Sequence, residues 1–294
     1  MKDVLSDLLV CPVCHSELEQ DGDGLRCSQC DRRFAIRDGS PDLTPNPPPD
    51  PRVLERWPLW EELQRNGELM YAADPPSSLS VGDREDAAQF AEFSELTGIV
   101  LDIGCGPQPA PSYAEGFDGT FVGIDPLAGT AVRRVPFVQG IAEFLPFRDG
   151  TFDRVLFAAS LDHVLSTERA LAEARRVVRP DGAVTIWLGE VPEPHGAGKH
   201  LRGAARKFRS GDLRGLAAGI RDQARARLRA IRREASFATP DGDVQLPVPA
   251  GAVDAFHVEH PGAETVTAWL ESVGLHVRDL QRPFEGSCFI RAAP

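Results

Sequence analysis

The sequence predicts an α/β protein: a mostly parallel sheet carrying a ligand site, preceded by a small β-rich metal-binding module and interrupted by a helical insertion. Three observations predict it. Two Cys-x-x-Cys pairs, Cys11/Cys14 and Cys27/Cys30, open the chain. Five apolar β runs alternate with helical or turn-rich stretches over 99–188, and the first breaks into the glycine turn Gly104-Cys105-Gly106. Strands that alternate with helices build a parallel sheet, whose ligands sit at the carboxyl ends of the strands.

The cysteine pairs come first. The pairs are Cys11-Pro-Val-Cys14 and Cys27-Ser-Gln-Cys30, separated by twelve residues. Four thiolates at this spacing close a tetrahedron around Zn²⁺. The intervening stretch, Leu18 to Arg26, reads as strand, Asp-Gly turn and strand, which brings the pairs together. Disulfides are the alternative; paired Cys-x-x-Cys knuckles in a chain of cytosolic type favour zinc. With four protein ligands no coordination position stays open, so the predicted zinc is structural and supplies folding energy to a module too small for its own core. The stretch from Leu8 to Pro45, with its Ile36-Arg37-Asp38-Gly39-Ser40-Pro41 tail, resembles the small zinc-ribbon proteins that bind and activate RNA and protein methyltransferases. That resemblance implies a docking ribbon over residues 1–45, fused in cis to the rest of the chain; the alternative is a ribbon that only tethers the N-terminus.

Residues 46–98 read as a linker and N-terminal helices. Asn46-Pro47-Pro48-Pro49-Asp50-Pro51 predicts a stiff, extended connection. Val53, Leu54, Trp57, Leu59, Trp60 and Leu63 suggest short helices interrupted at Pro58, and 74–78 a loop. Ala87, Phe90, Ala91 and Phe93 recur at helical spacing over 83–96.

The core spans 99–194. Ile99-Val100-Leu101-Asp102-Ile103 is a strand leading into the glycine turn, and Phe121-Val122-Gly123-Ile124-Asp125 is a second, ending in a carboxylate. Residues 137–142 give a third strand and turn, 152–157 a fourth, 167–178 a helix closed by Pro180-Asp181-Gly182, and 183–188 a fifth strand. Gly104 and Gly106 would let the backbone approach a ligand closely, while Asp125 would accept two hydrogen bonds from ribose hydroxyls. A dinucleotide site shares those features but requires a third glycine where this chain has Pro109.

The set Leu101-Asp102-Ile103-Gly104-Cys105-Gly106-Pro107, Asp125, the run Ala142 to Phe147, Phe152-Asp153-Arg154-Val155 and the run Ala174 to Gly182 resembles the class I S-adenosylmethionine-dependent methyltransferases, in particular their small-molecule branch. The resemblance implies a Rossmann-like, mostly parallel seven-stranded sheet with S-adenosylmethionine as cofactor. It implies that Asp102 and the turn Gly104-Cys105-Gly106 hold the methionine moiety, that Asp125 with Pro126 beside it binds the ribose, and that Ile141 and Ala142 flank the adenine. Ser160, in Ala159-Ser160-Leu161-Asp162-His163, would border cofactor and substrate. Gln108 replaces a frequent third glycine, and Ile141 a frequent adenine-binding Asp, which leaves adenine to backbone N–H groups and apolar packing.

A sulfonium methyl is already activated, so transfer requires alignment, exclusion of water and, for hydroxyl or carbon acceptors, removal of a proton. His163 just past strand four is the candidate base, with Asp162 orienting it. His257, with Glu259 and His260, forms a second candidate cluster on the substrate side. Each histidine has an ordinary reading too, as a capping, core or loop residue. Cys105 is expected to pack rather than react. An Asn-Pro-Pro-Tyr type motif, which holds exocyclic amines, is replaced by Ala-Ser-Leu-Asp-His.

Residues 195–250 predict a basic helical insertion. Leu213, Leu216, Ile220, Ala224, Leu228 and Ile231 recur near helical spacing beside Arg214, Arg221, Arg225, Arg229 and Arg232. A solvated lid over the site is the first reading; a clamp for an anionic substrate, or an RNA or membrane contact, are the others. Residues 251–294, with a helix at 263–272 and β runs around 273–277 and 288–290, complete the sheet.

Composition bounds the function. The chain's 294 residues, 42% hydrophobic and 26% charged, make an ordinary globular protein. Its net charge is −12, yet residues 195–236 carry 12 basic residues against Asp212, Asp222 and Glu234, leaving −21 elsewhere. A body that acidic is a poor general ligand for nucleic acid, because phosphate contacts supply non-specific affinity. No apolar run approaches the roughly 18 residues of a membrane span. Asp3 and Asp7 interrupt what would be a signal peptide's apolar stretch, so a cytoplasmic protein is expected. The preferred reading is a methyltransferase for a small, possibly anionic molecule such as a natural product, sugar or lipid-like acceptor. An rRNA or tRNA methyltransferase docking through ribbon and Arg-rich insertion is the runner-up, and a non-catalytic cofactor-binding scaffold the third.

Overall fold

The computed structural model describes residues 4–75, 84–129, 132–190 and 233–294. Helix α1 (Val4–Leu8) precedes a four-stranded antiparallel ribbon, β1 (Leu18–Asp21), β2 (Gly24–Cys27), β3 (Arg33–Arg37) and β4 (Ser40–Pro41), paired in chain order. The β1–β2 hairpin turns where Asp21-Gly22-Asp23 predicted, with Gly22 at φ +64°.

Helix α2 (Pro51–Ala73) is one continuous helix, not the short pieces expected around Pro58. Asp50 caps it, accepting from Arg52 N at 2.8 Å, and Pro51 takes a first-turn position where its missing N–H costs nothing. The bond that Pro58 forgoes would go to the carbonyl of Leu54, whose side chain is exposed, so water can serve that carbonyl. The buried face, Val53, Trp57, Trp60 and Leu63, runs unbroken across the proline and holds the helix together.

Helix α3 (Glu85–Ser94) leads into the main sheet: β5 (Ile99–Ile103), β6 (Thr120–Asp125), β7 (Phe137–Gln139), β8 (Phe152–Ala158), helix α4 (Thr167–Val177) and β9 (Val178–Gly189). Val178 passes straight from α4 into β9, so Pro180-Asp181-Gly182 sits inside the strand, beside a register shift in β8, rather than before it. Strands β10 (Glu234–Thr239) and β11 (Gly242–Pro247) make a separate hairpin. Helix α5 (Ala263–Ser272), β12 (His276–Gln281) and β13 (Ser287–Ala293) finish the fold.

The seven strands lie in the order β12-β13-β9-β8-β5-β6-β7. The pairs from β9 to β7 are parallel, and β13 runs antiparallel to both its neighbours. This is the class I methyltransferase sheet. From β5 the chain steps outward to β6 and β7, then returns to β8 on the other side of β5, so the switch point lies at the carboxyl ends of β5 and β8. Alternation along each strand gives the sheet two apolar faces. Leu101, Ile103, Val155, Phe157 and Ile186 pack under α4 and α5, while Val100, Leu156, Trp187 and Phe289 pack under Phe90 of α3.

The ribbon is docked on the β7 edge. Leu43 N donates to Gln139 O at 2.8 Å, Asp42 pairs in parallel with Gln139, and Leu9 pairs with Phe147. Val10 N donates to Pro146 O at 2.9 Å, and Arg148 clasps Glu17 of the ribbon with bonds of 2.6 and 2.7 Å. Cys11, Cys27, Phe34 and Leu43 belong to the same apolar cluster as Val138, Leu145 and Phe147. An open sheet edge is thereby covered by the chain itself.

The helices expected over 213–231, with most of the proposed lid, lie outside the described residues. The described end of that 195–250 span is not helical. It is the β10–β11 hairpin, because Pro240-Asp241-Gly242 supplies a tight turn between β-forming runs. Asn66 of α2 ties this hairpin down, donating to Pro247 O at 2.9 Å and Ala255 O at 2.7 Å.

Candidate functional site

The site starts at the end of β5. Gly104 and Gly106 take φ +76° and +75°, conformations that only glycine adopts without strain. A Cβ on Gly104 would overlap the side chain of Ser160, whose Oγ donates to Ile103 O at 2.5 Å. Gly104 therefore makes room for Ser160 first and for a ligand second. The Gly106 N–H donates to Asp125 Oδ2 at 2.8 Å, and Leu127 N donates to Oδ1 at 2.8 Å. Each Asp125 oxygen keeps a lone pair for a further donor. Burial raises the Asp125 carboxyl to about 6 against the pull of those two N–H groups and the nearby Arg133 guanidinium.

Arg133 is the unpredicted organiser of this corner. Its guanidinium donates to the carbonyls of Gly106, Gln108, Leu127 and Ala128 while lying over the Phe137 ring, 3.7 Å from its centroid. The glycine turn and the loop after β6 are thus held to one another by a single side chain. Cys105 packs under Gly123, and burial pushes its thiol well up from its ordinary value.

Asp102, expected to help hold the methionine moiety, stands behind Tyr113. It is fully buried and does not line the cavity. One oxygen accepts from Tyr113 Oη at 2.7 Å; the other has no hydrogen-bond partner among the described residues. Burial raises its carboxyl to about 7, with Asp125 adding and Tyr113 opposing.

A cavity of about 500 Å³ opens over this turn. Gly104, Cys105, Gly106, Asp125, Pro126 and Ser160 line its floor. Ile141, Ala142 and Glu143 form one side, with Ile141 backed by Trp57, Trp60 and Phe144. Met70 and Tyr71 of α2, Trp187, and the paired rings of Phe237 and Phe256 also line it. Glu143 holds that side in place: its Oε1 accepts from Leu165 N at 2.5 Å and Ser166 N at 2.9 Å, at the entry to α4.

His163 and His257 also line the cavity, with ring centroids 4.3 Å apart, so the two expected clusters are one. His257 Nδ1 lies 2.9 Å from both oxygens of Asp254, and His257 Nε2 is 3.4 Å from Asp162 Oδ2. His163 Nε2 is 3.9 Å from Asp162 Oδ1, and His260 Nε2 is 2.9 Å from Asp254. Burial lowers the His163 imidazole below its ordinary value. Burial pulls His257 the same way, but its bond to Asp254 and the Asp162 charge outweigh it and raise the group. The orienting carboxylate is Asp254; Glu259, grouped with the histidines from sequence, is exposed. Asp254 was legible only as the start of an Asp-x-x-His spacing. Tyr71, Arg133 and Asn66 carried no motif, and Glu143 lay inside the run Ala142 to Phe147 with no role assigned to it.

In the ribbon, Cys11 Sγ and Cys30 Sγ lie 3.6 Å apart and Cys14 Sγ and Cys27 Sγ 3.3 Å, with all four Sγ atoms within 4.8 Å of one another. Four thiolates each about 2.3 Å from a zinc ion stand at close to these separations. All four cysteines are free thiols, and the donor set fits structural Zn²⁺.

The strand order is that of the class I methyltransferase fold, and a four-cysteine ribbon precedes it. Comparison with known proteins agrees: residues 101–186 match the methyltransferase domain family, and residues 2–39 match the Trm112p-like protein family. A demethylmenaquinone methyltransferase of Mycolicibacterium paratuberculosis is 47% identical over 66 residues, covering 22% of this chain and 29% of that protein. The ubiquinone/menaquinone biosynthesis C-methyltransferase UbiE of Methylobacterium nodulans is 37% identical over 129 residues, covering 43% of this chain and 48% of its own. The chain thus spans less than half the length of these relatives. Among solved structures, the 1,6-didemethyltoxoflavin-N1-methyltransferase of Burkholderia thailandensis aligns with a TM-score of 0.48 at 14% identity, over 94% of this chain and 98% of that one.

Proposed function

We propose that the protein is an S-adenosylmethionine-dependent methyltransferase acting on a small, largely apolar molecule with an ionisable hydroxyl or enol group. The observation that carries this reading is the juxtaposition across one cavity of a nucleoside corner, Gly106 and Asp125, and a histidine–carboxylate cluster.

The residues present fit the cofactor. Asp125 offers ribose hydroxyls two acceptor oxygens already oriented by Gly106 and Leu127. Ile141 and Ala142 give adenine an apolar slot, and the turn from Gly104 to Gly106 receives the amino-acid end. S-adenosylmethionine supplies a sulfonium methyl that is transferred with its leaving group departing as a neutral thioether. The protein's share is to align the acceptor, exclude water and take away its proton. Trp187, Phe237 and Phe256 provide an apolar, aromatic wall for a flat acceptor. Arg84, the lone cation of fixed charge among the described lining residues, is committed to Asp86 at 2.5 Å, which favours a neutral acceptor over the anionic one considered from sequence. The cluster of Asp162, His163 and His257, with Asp254 holding the orientation of His257, supports an acceptor that ionises against this side of the cavity. The quinone-directed relatives support an aromatic acceptor of this kind.

The test is calorimetric titration with S-adenosylmethionine, followed by mass-spectrometric search for methylated products among hydroxylated aromatics. Micromolar binding with methyl transfer to such a compound is expected. Absence of cofactor binding by folded, zinc-loaded protein would overturn the reading.

A further inference from the structure

Three side chains of metal-ligand type, Asp162, His163 and His257, converge beside the cavity. Asp254 is an acceptor only, so its 2.9 Å contacts direct the Nδ1 hydrogen of His257 towards it and turn Nε2 to Asp162. His257 Nε2 stands 3.4 Å from Asp162 Oδ2, and His163 Nε2 stands 3.9 Å from Asp162 Oδ1. Donor atoms of Asp162, His163 and His257 all lie within 4.8 Å of one another. Two atoms each about 2.1 Å from a common metal ion stand roughly 3.0–3.4 Å apart, so small side-chain adjustments close the set around one cation. Charge points the same way. Asp162 and Asp254 bring two carboxylates to the cluster, whose charge a divalent ion would balance.

We infer that Asp162, His163 and His257 form a two-histidine, one-carboxylate site for a divalent transition-metal ion, and that this ion holds the acceptor through an ionised oxygen. Asp254, bonded to the far nitrogen of His257, is its positioning residue, as carboxylates behind metal-bound histidines are. A two-histidine, one-carboxylate set leaves coordination positions open. Two of its members line the cavity, so those positions are within reach of a bound hydroxyl or enol. Coordination lowers that oxygen's pKa, as it does for metal-bound water, and the proton is lost to solvent. The oxygen lone pair then forms the O–CH₃ bond as the S–CH₃ bond breaks and its electron pair stays on sulfur; nothing is oxidised or reduced. The metal site stands on the side chains alone, while its part in methyl transfer rests on the function proposed above.

The experiment titrates Co²⁺ into full-length protein whose ribbon is already loaded with zinc, reading visible d–d absorption and metal content. One further equivalent of Co²⁺ is expected, in bands without thiolate charge transfer. Asp162→Asn and His257→Ala should each weaken Co²⁺ binding at least 100-fold, and Asp254→Asn 10- to 100-fold, consistent with loss of an orienting partner. His276→Ala, at an exposed histidine beside Glu271, should leave it unchanged. Near-UV circular dichroism on each variant reports folding, and the conservative Asp162→Asn carries the result should His257→Ala misfold. Uptake limited to the ribbon's single ion, or equal uptake by wild type and Asp162→Asn, would overturn the site. S-adenosylmethionine binding is measured on the same samples: cofactor bound without a second metal sinks the metal site alone, whereas metal bound without cofactor sinks only the methyltransferase reading.

Discussion

Asp125, the residue assigned to the ribose from sequence, stands at the cavity in surroundings that only the fold decides. Its carboxylate reaches the cavity, but two backbone N–H groups already hold it. Asp125→Ala should weaken S-adenosylmethionine binding by about 1.5–3 kcal/mol, the range for a hydrogen bond to a charged group, measured by calorimetry. The same affinity should fall with pH. Asp125 titrates at about 6, and only its ionised form accepts from both ribose hydroxyls without first losing a proton, so affinity should hold above pH 6 and drop towards tenfold per unit below it. Asp102 acts on stability instead. Its folded carboxyl, raised from 3.8 to about 7, keeps its proton where the unfolded chain has lost it. Its contribution is therefore full below pH 4 and is lost as pH rises to 7, at roughly 1.4 kcal/mol per pKa unit. Asp102→Asn, which can still accept from Tyr113, should match wild type near pH 4 and melt higher than wild type at pH 8. Scanning calorimetry at the two pH values checks this.

At the scale of elements, the entry to α4 depends on a residue whose structural role no pattern announced. Glu143 is 1% exposed and takes the N–H groups of Leu165 and Ser166, while Arg169 lies over the neighbouring Phe144 ring and donates to the Glu143 carbonyl. Glu143→Ala leaves one buried and one half-buried donor without an acceptor and should cost about 2–4 kcal/mol in a denaturant titration. Continuity of α2 was likewise illegible, because a proline inside a helix is tolerated or not according to where its orphaned carbonyl points. What the sequence did show was periodic: the five β runs from 99 to 188, the helix at 263–272 and the hairpin between the cysteine pairs lie where alternation, 3.6-residue spacing and Asp-Gly turns put them. The described end of the insertion shows the converse. A basic helical pattern was extended to residue 250, and the Pro-Asp-Gly turn at 240–242 makes that end a hairpin.

Across the whole molecule, ribbon and main sheet share one packed interface. Backbone bonds from Val10 and Leu43, the Arg148–Glu17 pair and a shared apolar cluster join them. Removing zinc with a chelator should therefore lower the melting temperature of a single transition rather than melt the ribbon separately, as scanning calorimetry with two spectroscopic probes can show. Cys27→Ser should release the metal and produce the same shift; stoichiometric zinc retained in that variant would refute the four-thiolate site. Leu43→Asp, at a fully buried position beside the β7 edge, should undock the ribbon and promote self-association, visible in size-exclusion chromatography, because it uncovers that edge. Among the described residues, no helix is long and apolar enough to cross a membrane.

The order of residues alone specifies the parts that depend on near neighbours along the chain: the zinc knuckles, the glycine turn, the strand that ends in Asp125 and the succession of alternating elements. These rest on local spacing and backbone conformation, which a linear pattern records. Contacts across the fold were settled by packing in three dimensions. Packing brought His257 and Asp254 against His163 and Asp162, about ninety residues away, set Arg133 beneath the glycine turn, put Asp102 behind Tyr113 rather than in the cavity, and closed the open sheet edge with the ribbon. Those contacts come from chain reversal at the β5–β8 switch point and from burial, and neither leaves a period in the sequence.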